Sequence, residues 1–400
     1  QDAFEQTMRS FLLAVALLVV IVKNSLSLNC GPAGDGQCSA AWRTYQLEFE
    51  SAWSAYKRPL DTAGCSIYEQ TLKSDLSIFA GGVHREDIDE AVRLGGILYQ
   101  IIDGKLYRNS SECRHFSARC SGVEHYLLRA APRMSRNVEF VINVADYPLV
   151  PETPLRPAPV MSFSKSDGRH RDVLYPTWSF SQGGPCLHPI YSNGIGDWNG
   201  TRQQLLAVAQ AHPWSNKTDV AFFRGSRTSQ ERDAVVLLSL AKPELFDARY
   251  TKNQAYKSAA DTLNLEPAPY VSLPEHCKYR YLINMRGVAA SFRLRHILLC
   301  GSAVLHAVDK NSNWREFFYP AMRPWIHYVP LLPNLRDAED KLLFLRANPD
   351  WAKRLAAEGA HFIDKHLRDS DVACYWLRLL RRFSRLLSYD ATLRDNMRPV

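Results

Sequence analysis

No run of five or more lysines or arginines occurs in the chain, so nothing in it concentrates charge as a nucleic-acid surface does. The excess of 49 Lys+Arg over 41 Asp+Glu is only +8 in 400 residues, which suits local binding of anions such as phosphates. Glycine and proline, 20 and 22, are too few for a collagenous or linker-like chain. A hydrophobic fraction of 46% with 22% charged residues excludes wholesale disorder. There is no GxxxxGK[ST] phosphate loop, GxSxG elbow, HExxH or paired CxxC, and no internal repeat or low-complexity segment. The main apolar run, Phe11–Val22, is twelve residues long. That is short of the roughly 20 needed to cross a bilayer.

What is present begins with that run. Met8, Arg9 and Ser10 precede it and Lys23 follows, the pattern of a secretory signal over residues 8–28. An oxidising lumen makes disulfides the default for nine cysteines. Cys113 and Cys120 enclose a short loop, Cys277 and Cys300 flank a hydrophobic segment, and Cys30 and Cys38 bracket GPAGDGQ. Cys65 and Cys374 remain for a long-range pair, and Cys186 is expected to be the unpaired thiol. Spacing alone does not fix this connectivity. The sequons at Asn109, Asn199 and Asn216 agree with a lumenal chain.

Strand-like and helix-like stretches alternate from Ala41 onward. Ile97–Ile102 and Lys105–Tyr107 read as a hairpin around Asp103-Gly104. Val138–Val144, Val160–Phe163, Val220–Arg224, Tyr281–Met285 and Ala303–His306 read as strands. Helices are expected over Ala41–Tyr56, Ser121–Ala131, from Ser229, over Ala290–Leu299, and in three terminal stretches ending near Leu387. Residues Trp178–Gly200 read as loop. This order predicts an α/β protein of two Rossmann-like domains facing a cleft. The expected boundaries are residues 29–205, residues 206–365, and a helix in residues 366–400 that returns to the N-terminal domain.

Three places carry candidate chemistry. AFFRGSRTSQERD (Ala221–Asp233) and LINMRGVAASFRLR (Leu282–Arg295) are both strand, Arg-Gly, small or hydroxyl residues, then helix. Such corners favour anions through orphan N–H groups, and Arg224, Arg227, Arg232 and Arg293 add positive charge. Two of them are able to grip a diphosphate with arginine in place of a metal. The third is Asp146, at the end of VINVADYP, where a carboxylate at a strand terminus is placed to act as a general base. Asp87-Ile-Asp89 imitates a metal-binding DxD, but its charged surroundings read as a solvated helix face. Gly194-Ile-Gly196 reads as a turn, and the disulfide reading of Cys113 and Cys120 is preferred to zinc with His115 and His125.

The segments CSGVEH, VINVADYP, SFSKS, AFFRGSRTSQERD, YTKNQAYK, HCKYRYLINMRGVAASFRLRH and EFFYP resemble those of the CAP10-like glycosyltransferases, over about Cys65 to Tyr389. The resemblance implies a GT-B fold and metal-independent, inverting protein O-glucosylation with UDP-glucose as donor and no bound cofactor. The acceptor implied is serine in C-x-S-x-(P/A)-C motifs of folded EGF-like repeats, as on Notch. UDP-xylose use on the same fold and non-catalytic binding of EGF repeats are the alternatives. By the resemblance Asp146 is the base, and Ser226, Arg232, Val288, Ala289, Ala290, Ser291, Phe292 and Arg293 bind the donor. Arg114, His115, Phe116, Ser117, Ala118 and Arg119, with Cys186, Leu187, His188, Pro189, Ile190, Tyr191 and Ser192, contact the acceptor. The implied disulfides are Cys113–Cys120, Cys277–Cys300 and Cys65–Cys374. Ala145 stands where relatives carry arginine, and Cys186 where they carry a small residue. A monomer of the endoplasmic reticulum lumen is expected, although the chain ends Met397-Arg398-Pro399-Val400 without a KDEL-like signal.

Overall fold

A computed structural model describes residues 39–109, 113, 117–153, 157–181, 194–252, 256–309 and 313–400. The expectations for residues 8–28, Cys30, Cys38, Arg114, His115, Phe116 and Cys186–Ser192 fall outside those residues. The protein is mixed α/β with parallel pairing in both of its large sheets.

The first sheet contains β1 (Ile97–Ile102), β2 (Lys105–Asn109), β3 (Val138–Asn143), β4 (Val160–Ser162), β6 (Val173–Leu174) and β13 (Met397–Pro399). β5 (Lys165–Ser166) lies outside it, in a separate ribbon. The strand order is β13-β2-β1-β3-β4-β6. Asp103 and Gly104 take φ of 49° and 73°, the double left-handed geometry that closes a two-residue hairpin. β1 and β3 are antiparallel, and only β3, β4 and β6 run parallel. The parallel pairing expected from strand–helix alternation therefore holds for half of this sheet, beside the hairpin expected at Asp103-Gly104. The hairpin returns the chain without a crossover helix, and the last residues add β13 antiparallel to β2.

The second sheet is parallel throughout. It contains β7 (Thr218–Gly225), β8 (Phe246–Tyr250), β9 (Tyr279–Asn284), β10 (Ala303–Ala307) and β12 (Val329–Leu331), in the order β12-β10-β9-β7-β8. The chain moves outward from β7 to β8, then returns to β9 on the other side of β7. The switch point of the topology thus lies between β7 and β9, where open α/β sheets leave a crevice beyond the strand ends. β5 pairs with β11 (Trp314–Arg315) in a two-stranded antiparallel ribbon that joins the two halves of the chain. Lys165, buried in that ribbon, reaches Asp75 at 2.8 Å.

One buried apolar cluster covers the first sheet and continues onto one face of the second through Phe222, Leu282 and Val304, and another lies on that sheet's other face, with Phe223, Ile283 and Leu305. The helix Trp198–Ala211 replaces the end of the expected loop; Asp197 caps it by accepting the Gly200 N–H at 3.3 Å. The helix expected from Ser229 is one 3₁₀ turn followed by Asp233–Ala241, and the one expected over Ala290–Leu299 narrows to Arg293–Leu298. Asp87 and Asp89 serve structure: Asp87 accepts the His84 N–H at 2.7 Å, and Asp89 pairs with Arg394.

The helix Asp369–Leu386 returns across the first sheet. Tyr375 donates to the Leu174 carbonyl (3.0 Å), and Tyr126 donates to Asp369 (2.8 Å). Cys113–Cys120, Cys277–Cys300 and Cys65–Cys374 are bonded, the last across a sequence separation of 309. In chain-entropy terms closing a loop of that size is worth at most on the order of 5–6 kcal/mol. Replacing both Cys65 and Cys374 by alanine is expected to lower the melting temperature by several degrees in a thermal scan. An unchanged melt would show that the helix packs back without the bridge.

Candidate active site

Asp146 is held by its own strand. Asn143, the last residue of β3, is 2% exposed and accepts the Ala145 N–H at 2.8 Å. Its amide donates to the Tyr147 carbonyl (2.7 Å) and to Ser162 Oγ (3.0 Å), while Tyr175 donates to its carbonyl (2.9 Å). The residues on both sides of Asp146 are therefore pinned, and its carboxylate is left 46% exposed. Arg119, from the helix Ser117–Ala130, reaches that carboxylate at 3.2 Å. The same guanidinium donates to the Val144 carbonyl (2.7 Å) and lies over the Trp178 ring at 4.7 Å.

Arg119, which the resemblance assigned to the acceptor, pairs with Asp146. Arg119→Ala is expected to lower kcat roughly 10–100-fold through misplacement of the carboxylate, with little change in the donor KM. A pure rise in acceptor KM would instead support a contact with the acceptor.

The two basic corners meet at the switch point. Arg232 is 5% exposed and donates through Nε to the Arg286 carbonyl (2.8 Å), and through Nη1 to the Ser226 carbonyl (2.8 Å). One side chain thereby ties the end of β7 to the end of β9. Arg293 lies over Phe223 at 4.7 Å. A Cβ on Gly225 would stand 2.4 Å from Arg293 Nη2, and one on Gly287 would stand 3.1 Å from Thr228 Oγ1 and 3.4 Å from Arg232 Nη2. The two glycines thus give the guanidinium pair its room against the backbone.

Neither Arg232 nor Arg293 has a carboxylate within 4 Å among the described residues. Burial pulls Arg232 down to about 10; burial, and then repulsion from Arg232, pulls Arg293 down to about 9. His276 is held neutral, brought to about 3 by burial and secondarily by the Arg293 charge. Two neighbouring cations without a counter-charge are costly to desolvate. An anion bound between them would offset that cost.

Arg224 and Arg227 do not join them. Arg224 pairs with Asp247 at 2.7 Å and Arg227 with Asp233 at 2.6 Å, so their charge is cancelled locally. The helix ends add little positive potential: Arg293–Leu298 is six residues long, and Asp233 occupies the first turn of the other helix. Guanidinium groups, rather than helix ends, supply the positive charge here.

The carboxylate and the arginine pair are linked through aromatic side chains. Trp178, under Arg119, packs on Phe292 at 5.9 Å, and Phe163 stacks on Phe292 at 5.0 Å. The Ala290 N–H donates to Ser164 Oγ (3.1 Å), so the segment before Arg293 is bonded to the first half of the chain. On the other side Tyr147 packs on Trp314 at 5.4 Å, and Arg286 lies over the same Trp314 ring at 5.6 Å. Small cavities of about 80 and 250 Å³ open beside this joint, the first lined by Arg286, Ala290, Ser291 and Trp314 among others, and His306 borders both. Asn143, Trp178 and Trp314 escaped the sequence reading. Only Asn143 left a signal there, inside the VINVADYP strand.

Ser226 borders the arginine pair, whereas Val288 is 45% exposed and Ala289 and Ala290 are buried behind it. Ser117 and Ala118 open the helix that carries Arg119. Of the sequon asparagines, Asn199 and Asn216 are exposed, and Asn109 closes β2 partly buried. No helix among the described residues is long and apolar enough to cross a membrane.

Residues 61–400 match glycosyl transferase family 90, a span that holds Asp146, Arg232 and Arg293. The chain belongs to that family. It is 45% identical over 364 residues to a Bos taurus protein named protein O-glucosyltransferase 1, covering 91% of each chain. To the Homo sapiens protein of the same name it is 45% identical over 359 residues, or 90% of each. To the Drosophila melanogaster O-glucosyltransferase rumi it is 41% identical over 408 residues, covering 95% of this chain and 96% of that one. Members of family 90 are glycosyltransferases. The candidate site has the parts that such transfer needs: a carboxylate for the incoming hydroxyl and cations for the leaving phosphates.

Proposed function

We propose that this chain transfers glucose from UDP-glucose to serine in C-x-S-x-(P/A)-C motifs of folded EGF-like repeats, in the endoplasmic reticulum lumen. The observation that carries the reading is the pairing of one oriented, half-exposed carboxylate, Asp146, with two guanidiniums that have no carboxylate within 4 Å among the described residues, Arg232 and Arg293, across a shared aromatic joint. The names of the relatives supply the sugar and the protein acceptor.

The two sheets are read as two Rossmann-like domains in a GT-B arrangement, residues 29–205 and 206–365, with residues 366–400 returning to the first. Asp146 takes the proton from the serine hydroxyl. The serine oxygen bonds to the anomeric carbon as the bond from that carbon to the UDP β-phosphate oxygen breaks. The electron pair leaves with UDP, whose negative charge Arg232 and Arg293 receive. Ser226 and residues 288–292 flank the donor. Residues 114–118 and 186–192 border the acceptor. Attack opposite the leaving group gives a β-linked sugar, and the guanidinium charge makes transfer insensitive to EDTA.

The test is intact-mass spectrometry of a folded EGF-like repeat incubated with the protein and either UDP-glucose or UDP-xylose. Hexose on the motif serine is expected. Pentose alone would move the assignment to a xylosyltransferase, and an unchanged mass with both donors would leave a non-catalytic binder.

A further inference from the structure

The helix Pro349–His366 ends beside the turn that opens at Asp61, and three side chains meet there that lie outside the candidate site described above. One ligand atom each from Asp61, His361 and His366 lies within 4.8 Å of the other two. His361 Nε2 is 3.1 Å from Asp61 Oδ1. His366 is 0% exposed, and neither of its ring nitrogens has a hydrogen-bond partner among the described residues. A buried imidazole normally satisfies at least one nitrogen, so two orphaned nitrogens call for a partner that a proton donor or acceptor of the protein does not provide.

The surrounding backbone is fixed. Tyr68 donates its hydroxyl to the His366 carbonyl, and Arg368 reaches the Asp61 carbonyl at 3.5 Å. The Cys65–Cys374 bond holds the segment after Asp61 against the last long helix. The side chains of Arg368 and Lys365 are paired with Asp371 and Asp364, which leaves the Asp61 carboxylate to His361. Asp61 is 52% exposed, giving a cation a route from solvent and room for a water ligand.

We propose that Asp61, His361 and His366 bind a divalent transition-metal ion, Zn²⁺ by preference, as a structural clamp between the N-terminal turn and this helix. Two imidazoles and one carboxylate with a water make a four-ligand set that suits zinc. Two nitrogen donors disfavour magnesium and calcium, which take oxygen.

The full chain, untagged and stripped of metal, is titrated with Zn²⁺ against a chromophoric chelator and melted with and without the ion. One equivalent should bind and raise the melting temperature, while Mg²⁺ at the same concentration should not. His361→Ala and His366→Gln should each weaken zinc binding by at least about tenfold and remove the shift in melting. Asp61→Asn changes only an exposed turn residue, so it keeps the test open should a histidine variant fail to fold. Substoichiometric binding by the wild type, or variants that bind and melt with zinc as the wild type does, would overturn the proposal.

Discussion

Asp146→Asn is expected to abolish detectable glucosyl transfer, a loss of roughly 10²–10⁴-fold, while UDP-glucose still binds within about twofold of wild type. The substitution keeps the size of the side chain and the turn that Asn143 pins, so the strand end should stay in place. It removes the only function that requires a lone pair of carboxylate basicity there. Arg119 loses its ionic partner but keeps the Val144 carbonyl and the Trp178 ring, which limits the structural consequence. A steady-state assay on an EGF-like repeat, run beside a UDP-glucose titration, checks both halves. Full activity in this variant would remove Asp146 from the mechanism.

Arg293→Ala produces the second large effect, by a different route. It takes away one of two cations placed where the diphosphate charge develops, and loss of one such group costs about 10²–10³-fold in turnover. In the free protein the same change relieves repulsion between two desolvated guanidiniums. The apo variant should therefore melt no lower than wild type, and its UDP-dependent rise in melting temperature should largely disappear. Function here is held against stability, as expected at a site that waits for an anion. Arg293→Lys should restore only part of the binding. An ammonium lacks the planar fork that lies over Phe223 and against Gly225. A variant that melts lower and binds UDP normally would mean that Arg293 is structural.

Local chemistry was legible in the sequence, and long-range partnership was not. Asp103-Gly104 announced its hairpin because both φ values are set by the residues themselves. The strands before Asp146, Gly225 and Gly287 announced themselves by apolar runs that end in turn residues. β13 did not, because Met397–Pro399 becomes a strand only by finding β2 some 290 residues earlier in the chain. Arg224, Arg227, Arg232 and Arg293, four of the arginines in the two corners, are alike on paper. Asp247 and Asp233 neutralise Arg224 and Arg227, and only the fold shows that Arg232 and Arg293 have no such neighbour among the described residues. Arg119 reached the notice of a motif comparison, but its partner Asp146 is 27 residues away and on another element. His361 and His366 suggested nothing alone, since their third group, Asp61, lies 300 residues upstream.

The central claim is that one carboxylate and one pair of guanidiniums, on opposite sides of the reacting carbon, perform a single displacement. The anomeric configuration of the transferred sugar tests it most directly, read by NMR on the product formed from α-linked UDP-glucose. A β-linked glucosyl serine is the result predicted. An α-linked product would require a second displacement or front-face attack, and would contradict the roles given to Asp146, Arg232 and Arg293.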